Sequence, residues 1–272
     1  MKTIALLATL LAGFAAGASA APSAQLWSRW EPQNASSTEK VDHAAWDGFL
    51  KAYVKPSPDG VNRVAYGKVT PPDKQALASY VDRLSKVQVT KLSRAEQLPY
   101  WINLYNALTI KTVLEKYPVA SIRDINISPG LFSSGPWGAK LIRIEGEEVT
   151  LDDIEHRILR PIWKDPRIHY AVNCASIGCP NLLATAFTAA NADQLLTEGA
   201  KAYANNKRGV RIEGGKITAS KIYDWFQSDF GGNEAGVLQH LAKYAEPAAA
   251  DRLKSARSIS SYEYDWSLND AR

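Results

Sequence analysis

The chain has only two cysteines, Cys174 and Cys179, in the run His169-Tyr-Ala-Val-Asn-Cys174-Ala-Ser-Ile-Gly-Cys179-Pro180, with Glu155-His156 shortly before it. A thiol becomes a nucleophile when an imidazole takes its proton, and a carboxylate behind that imidazole holds it in the right tautomer. One short region therefore supplies every part of a thiol hydrolase. Cys174 is the candidate nucleophile, His169 the candidate base and then acid, and Glu155 the candidate orienting residue. His156 competes for the role of base. Backbone N–H groups near Cys174 are the expected oxyanion donors.

Plainer chemistry fits the same residues. Cys174 and Cys179 could close a local disulfide, which an oxidising compartment permits, or be buried as small hydrophobes. Three ligands spaced His169, Cys174, Cys179 match no common structural zinc pattern, so no metal or cofactor is expected. A protein of another class also remains open: a non-catalytic envelope binding or scaffold module with a Cys174–Cys179 disulfide. The chain has no phosphate-binding glycine loop, HExxH, CxxC or GxSxG.

Several elements must position these residues. Thr150-Leu-Asp-Asp153 caps a helix running to about Arg160 before Pro161, with Leu151, Ile154, Ile158 and Leu159 as its apolar face. Glu155 projects within that arc, so a carboxylate there needs an imidazole, several N–H donors, or an arginine such as Arg160 or Arg167. Residues 167–173 are expected as a strand. His169 and Cys174 would then face opposite sides unless the chain turns near Asn173. Upstream, Asp42 opens a helix with the stripe Trp46, Phe49, Leu50 and Tyr53, and a second helix starts near Pro72. Ser93-Arg-Ala-Glu96 has the pattern of a capping box before a long helix that holds Asn103 and Asn106 and stops before Pro118.

Residues 128–138, with Phe132 and Trp137, suggest an ordered loop beside a site. Hairpins are expected around Glu145-Gly146 and Gly214-Gly215, helices from 191 toward 209 and at 221–228 and 234–244, and a closing strand at 259–268. Trp27 and Trp30 mark an N-terminal arm that docks through its rings. These elements make an α+β domain with helices packed on an antiparallel sheet.

Lys2, the apolar run from Ile4 to Ala16 and the small-residue site Ala18-Ser19-Ala20 read as a signal peptide over residues 1–20, leaving 21–272 as one domain in the periplasm or secreted. No later stretch has the roughly 20 apolar residues of a membrane span, so no integral membrane segment is expected after cleavage. The net charge of +4 is spread without basic blocks, which argues against a nucleic-acid partner. In that compartment an envelope peptide or a peptidoglycan-type amide is the expected substrate.

Four blocks together resemble the family catalogued as domain of unknown function 547: Tyr100–Leu108, Leu151–Arg160, Asp165–Pro180 and Tyr264–Asn269. They span from about residue 90 to the C-terminus. The resemblance implies a papain-like cysteine-hydrolase fold with the catalytic order permuted to Glu, His, Cys, which Glu155, His169 and Cys174 satisfy.

Overall fold

The computed structural model describes residues 22–130 and 133–271. The expected signal peptide at residues 1–20 and Phe132 lie outside the described residues. The molecule mixes helices with small sheets, as an α+β chain should.

Its centre is a helix. After α1 (Ala44–Tyr53), the hairpin β1–β2 (Val54–Pro56, Asn62–Val64) and α2 (Pro71–Ser85) comes α3 (Arg94–Lys116), buried on every side from Tyr100 to Ile110. A helix apolar all round belongs in a core. Trp101, Ile102, Leu104 and Tyr105 are each at most 1 % exposed, and each such side chain contributes about 2 kcal/mol by burial. The expected capping box at its start does not form. Ser93 accepts the first helical N–H groups through its carbonyl, while Glu96 turns away to accept from Val41 N–H.

The antiparallel sheet expected beneath the helices is absent among the described residues. Instead there are two hairpins, β1–β2 and β3–β4 (Ile142–Ile144, Glu147–Val149), and one three-stranded sheet. That sheet joins β5 (Val210–Glu213) and β6 (Lys216–Ser220) to β7 (Ser261–Glu263), and its β6–β7 pairing is parallel. Strands of three to five residues cover too little surface to organise the core, so α3 does it.

The segment 151–163 departs from expectation at Pro161. Thr150 and Asp153 cap it reciprocally, as foreseen, but a π-helical run Asp153–Leu159 then passes directly into α4 (Arg160–Trp163). Pro161 has no N–H to donate, and the wide π turn shifts the register, so carbonyls just upstream lack helical donors. The N-terminal arm supplies them: Gln25 N–H donates to His156 O at 3.0 Å and Trp27 N–H to Arg157 O at 2.9 Å. Trp30 then packs edge-on against Trp101, as expected of a docking tryptophan.

The expected strand 167–173 is also a correction. Pro166–Tyr170 is a 3-10 helix, because Pro166 sets its first φ and the Asp165 carboxylate accepts from Arg167 N–H. The face-alternation argument for His169 and Cys174 therefore does not apply. Beyond it lie α5 (Ala192–Ala204), α6 (Lys221–Trp225), shorter than expected, α7 (Glu234–Tyr244) and α8 (Pro247–Ser255), which the sequence reading did not anticipate. Only β7 realises the closing strand. A second apolar cluster of Tyr170, Tyr203, Tyr223, Phe230 and Leu241 joins these elements. No helix among the described residues is long and apolar enough to cross a membrane.

Candidate functional site

Cys174 sits on a loop that buried asparagines hold in place. Asn106 on α3 donates to Ala171 O and accepts from Asn173 N–H, both at 2.8 Å. Asn173 in turn donates to Pro180 O and accepts from Ala175 N–H, closing the loop on itself. Asn103, one helical turn earlier, pairs with both backbone groups of Phe187. Buried amides that satisfy backbone groups fix a loop more tightly than apolar packing, since each broken bond leaves a desolvated group. Ala175 at φ 57° makes the reversal that presents Cys174.

Residues 264–269 lie along this loop. Ile177 N–H donates to Ser267 O, Gly178 N–H to Asp265 O, and Asn269 N–H to Ala175 O. The approach is close enough that a Cβ on Gly178 would stand 2.7 Å from Asp265 N. It delivers Tyr264 to the thiol.

Three hydrogen-bonding groups surround Cys174 Sγ: Tyr264 Oη at 3.0 Å, Cys179 Sγ at 3.1 Å and Ser176 Oγ at 3.2 Å. The Cys179 contact, then those of Ser176 and Tyr264, overcome burial and lower the Cys174 pKa. Burial, and next the neighbouring Cys174, push Cys179 well up. Of the two thiols, Cys174 is therefore the one that ionises more readily. Both cysteines are free thiols. Cys174 is part-exposed and Cys179 buried.

The histidines occupy the other half of the site. His169 Nε2 lies 2.8 Å from Asp229 Oδ2 and Nδ1 lies 3.6 Å from Glu155 Oε1. The structure thus brings Glu155 and His169 together, and gives Glu155 an imidazole rather than an arginine. Arg160 binds Asp229 instead, and Arg167 binds Asp165. Burial alone would lower the His169 pKa, but its bonds to Asp229 and Glu155 raise it. Burial would raise Glu155, yet His156, His169 and Arg160 hold it down at about 2. His169 is thus clamped between two carboxylates that favour its charged form, and it stacks on Phe226 at 4.4 Å.

Neither imidazole is among the hydrogen-bond partners of Cys174. His156 accepts at Nδ1 from Arg160 Nη1 and is kept neutral, its pKa lowered to about 4 chiefly by burial. Its Nε2 faces Asp152, 3.7 Å away, whose pKa burial and then Glu155 raise to about 6.

The two halves are still one neighbourhood. The Glu155 charge acts on Cys174, and both act on the buried phenol of Tyr105. Adjacent residues at the end of α6 span them, with Trp225 packed on Tyr264 at 4.9 Å and Phe226 on His169. Trp137 packs on Trp266 and Trp266 on Tyr264, which extends the aromatic wall.

The backbone N–H groups expected to form an oxyanion hole are engaged elsewhere. Cys174 N–H donates to Cys179 Sγ, Ala175 N–H to Asn173 Oδ1, and those of Ile177, Gly178 and Cys179 to carbonyls. Beside the sulfur remain the hydroxyls of Ser176 and Tyr264, which also bond each other. Among the described residues no group of three His, Cys, Asp or Glu side chains could hold a metal ion.

Sequence reasoning did not assign roles to Tyr264, Ser176 or Asp229. The first two stand inside the blocks that carry the family resemblance, which was an available signal. Asp229, in a Gly-flanked turn far along the chain, had none.

Residues 89–204 match the model of the family described as protein of unknown function, DUF547. The matched span holds Glu155, His156, His169, Cys174 and Cys179 and ends before Asp229 and Tyr264, short of the C-terminal extent expected from the sequence blocks. No curated protein and no solved structure matches the chain. Over residues 89–204, then, this chain resembles the family of unknown function DUF547.

Proposed function

We propose that this chain is an exported, papain-like thiol hydrolase or transferase that opens an amide or ester bond, with Cys174 as nucleophile. The observation that carries the reading is the convergence of Tyr264, Cys179 and Ser176 on a part-exposed Cys174 sulfur. Such donors stabilise the anion before substrate arrives, so the attack step needs no imidazole in contact. The thiolate adds to the carbonyl carbon, the Ser176 and Tyr264 hydroxyls meet the developing oxyanion, and the C–N or C–O bond breaks to leave a thioester. Water or a second nucleophile then releases the acyl group and regenerates the thiolate.

His169 enters this scheme as an acid. With both nitrogens facing carboxylates it carries two protons, and Glu155 keeps it oriented when Nε2 exchanges Asp229 for the departing amine or alcohol. His156, already neutral and paired with Arg160, is the alternative proton carrier.

The test is to react the purified chain from residue 21 with a panel of aryl esters and peptide amides and to trap the acyl group by intact and peptide mass spectrometry. An adduct on Cys174 that Cys174→Ser abolishes supports the reading. Acylation on Cys179, or none above that of the unfolded chain, refutes it.

A further inference from the structure

We infer that Cys179 is a resolving cysteine, which converts an oxidised Cys174 into a reversible intramolecular disulfide and so protects and gates the thiolate. The inference goes beyond acyl chemistry and uses the sulfur pair alone, so it stands whether or not Cys174 acylates.

The two sulfurs are 3.1 Å apart, at opposite ends of one tight loop, and neither is bonded. Closing a disulfide from there requires a sulfur displacement of about 1 Å. Cys179 Sγ cannot swing away easily, because it accepts Cys174 N–H at 3.1 Å and its N–H donates to Ser176 O. Access is unequal: Cys174 is part-exposed while Cys179 is 4 % exposed. A solvent-borne oxidant therefore meets Cys174 first, and Cys179 can react only with its neighbour.

The electrons balance with a hydroperoxide as oxidant. The Cys174 thiolate attacks the terminal oxygen and the O–O bond breaks; Cys174 keeps the OH as a sulfenic acid, and the departing alkoxide or hydroxide takes a proton from solvent. The Cys179 thiol then attacks the Cys174 sulfur, the S–O bond breaks, and water departs carrying the Cys179 proton. Each sulfur gives up one electron of the two that reduce the peroxide. The disulfide removes the nucleophile without overoxidising it, and a dithiol restores it by exchange.

Hydrogen peroxide titration of the chain from residue 21, read by intact mass and by counting alkylatable thiols, tests this. The native chain should lose the mass of two hydrogens and both thiols together, and dithiothreitol should return both. Cys179→Ser, which keeps a hydroxyl donor beside Cys174, should instead accumulate sulfinic acid on Cys174 about tenfold faster, beyond rescue by dithiothreitol. If that variant does not fold, Cys174→Ser gives the complementary result, a Cys179 that peroxide leaves unmodified. The inference falls if the native chain reaches sulfinic acid as fast as Cys179→Ser, if its disulfides are intermolecular, or if Cys179 oxidises in Cys174→Ser.

Discussion

The Tyr264 hydroxyl stands 3.0 Å from Cys174 Sγ across a sequence separation of 90 residues, and also lies 2.9 Å from Ser176 Oγ. A hydrogen bond to a charged group contributes about 1.5–3 kcal/mol, so Tyr264→Phe should raise the pH midpoint of Cys174 alkylation and slow labelling at mildly acidic pH by about tenfold or more. Iodoacetamide rates measured against pH check this. An unchanged midpoint would mean that the phenol does not stabilise the thiolate.

Gly178 has a role of the same kind through the backbone. A Cβ there would meet Asp265 N at 2.7 Å and Asp265 O at 2.9 Å, so Gly178→Ala must push the Tyr264 segment off the cysteine loop. The expected cost is about 1–3 kcal/mol in urea unfolding, with a labelling midpoint displaced in the same direction as in Tyr264→Phe. Lost stability with normal labelling would separate the two effects and disprove the link.

His169 distinguishes two modes of activating the thiol. Because it is clamped by Glu155 and Asp229, His169→Ala should destabilise the fold by about 3 kcal/mol, leaving the buried Glu155 carboxylate without its imidazole while Asp229 keeps Arg160. Its effect on Cys174 labelling should be smaller than that of Tyr264→Phe. If His169→Ala slows labelling more than Tyr264→Phe does, and more than His156→Ala, an imidazole activates the thiol after all.

Stability should fall on mild acidification. His43, His156 and His240 each have their pKa lowered to about 4, burial being the largest cause in every case. As pH drops below the ordinary histidine value of about 6.5, the unfolded chain binds these protons and the folded chain does not until about pH 4. Their stabilisation is thus whole above the ordinary value and declines between the two. His169 behaves oppositely, its raised pKa giving stability that is whole below the ordinary value and lost as pH rises through the folded one. Glu155 keeps its contribution in full down to the ordinary glutamate value of about 4.5 and loses it between there and about 2. Three groups against two, His169 and the Asp152 carboxyl raised to about 6, predict a net loss, on the order of a few kcal/mol, between neutral pH and about pH 4.5. Urea midpoints at the two pH values measure it, and a flat profile would contradict the neutral histidines.

The N-terminal arm should hold the π turn that carries Glu155. Gln25→Pro removes the N–H that meets His156 O and should cost about 1–3 kcal/mol, whereas Gln25→Ala keeps that donor and should cost little. Hydrogen exchange of amides 153–160 should quicken in the proline variant only. Equal protection in both would show that the arm merely covers the helix.

What the residues themselves determined is local. The helices that begin at Ala44 and Pro71, the cap at Thr150, the turns at Glu145-Gly146 and Gly214-Gly215, and the docking of Trp30 follow from periodicity, capping and glycine backbone freedom, all encoded within a few positions. That Glu155 needs a partner was legible too, because a carboxylate on an apolar helix face must find one, but the fold chose His169 over the arginines. Tertiary structure decided the rest. Pro161 reads as a helix stop until an arm more than a hundred residues away supplies donors to the carbonyls upstream of it. The partners of Cys174 depend on residues 264–269 closing over Gly178, and the second partner of His169 is an aspartate brought in by the fold. Which donors reach the sulfur, and hence which groups hold its protons, is set by hydrogen bonds between segments far apart in the chain, and no local spacing rule contains them.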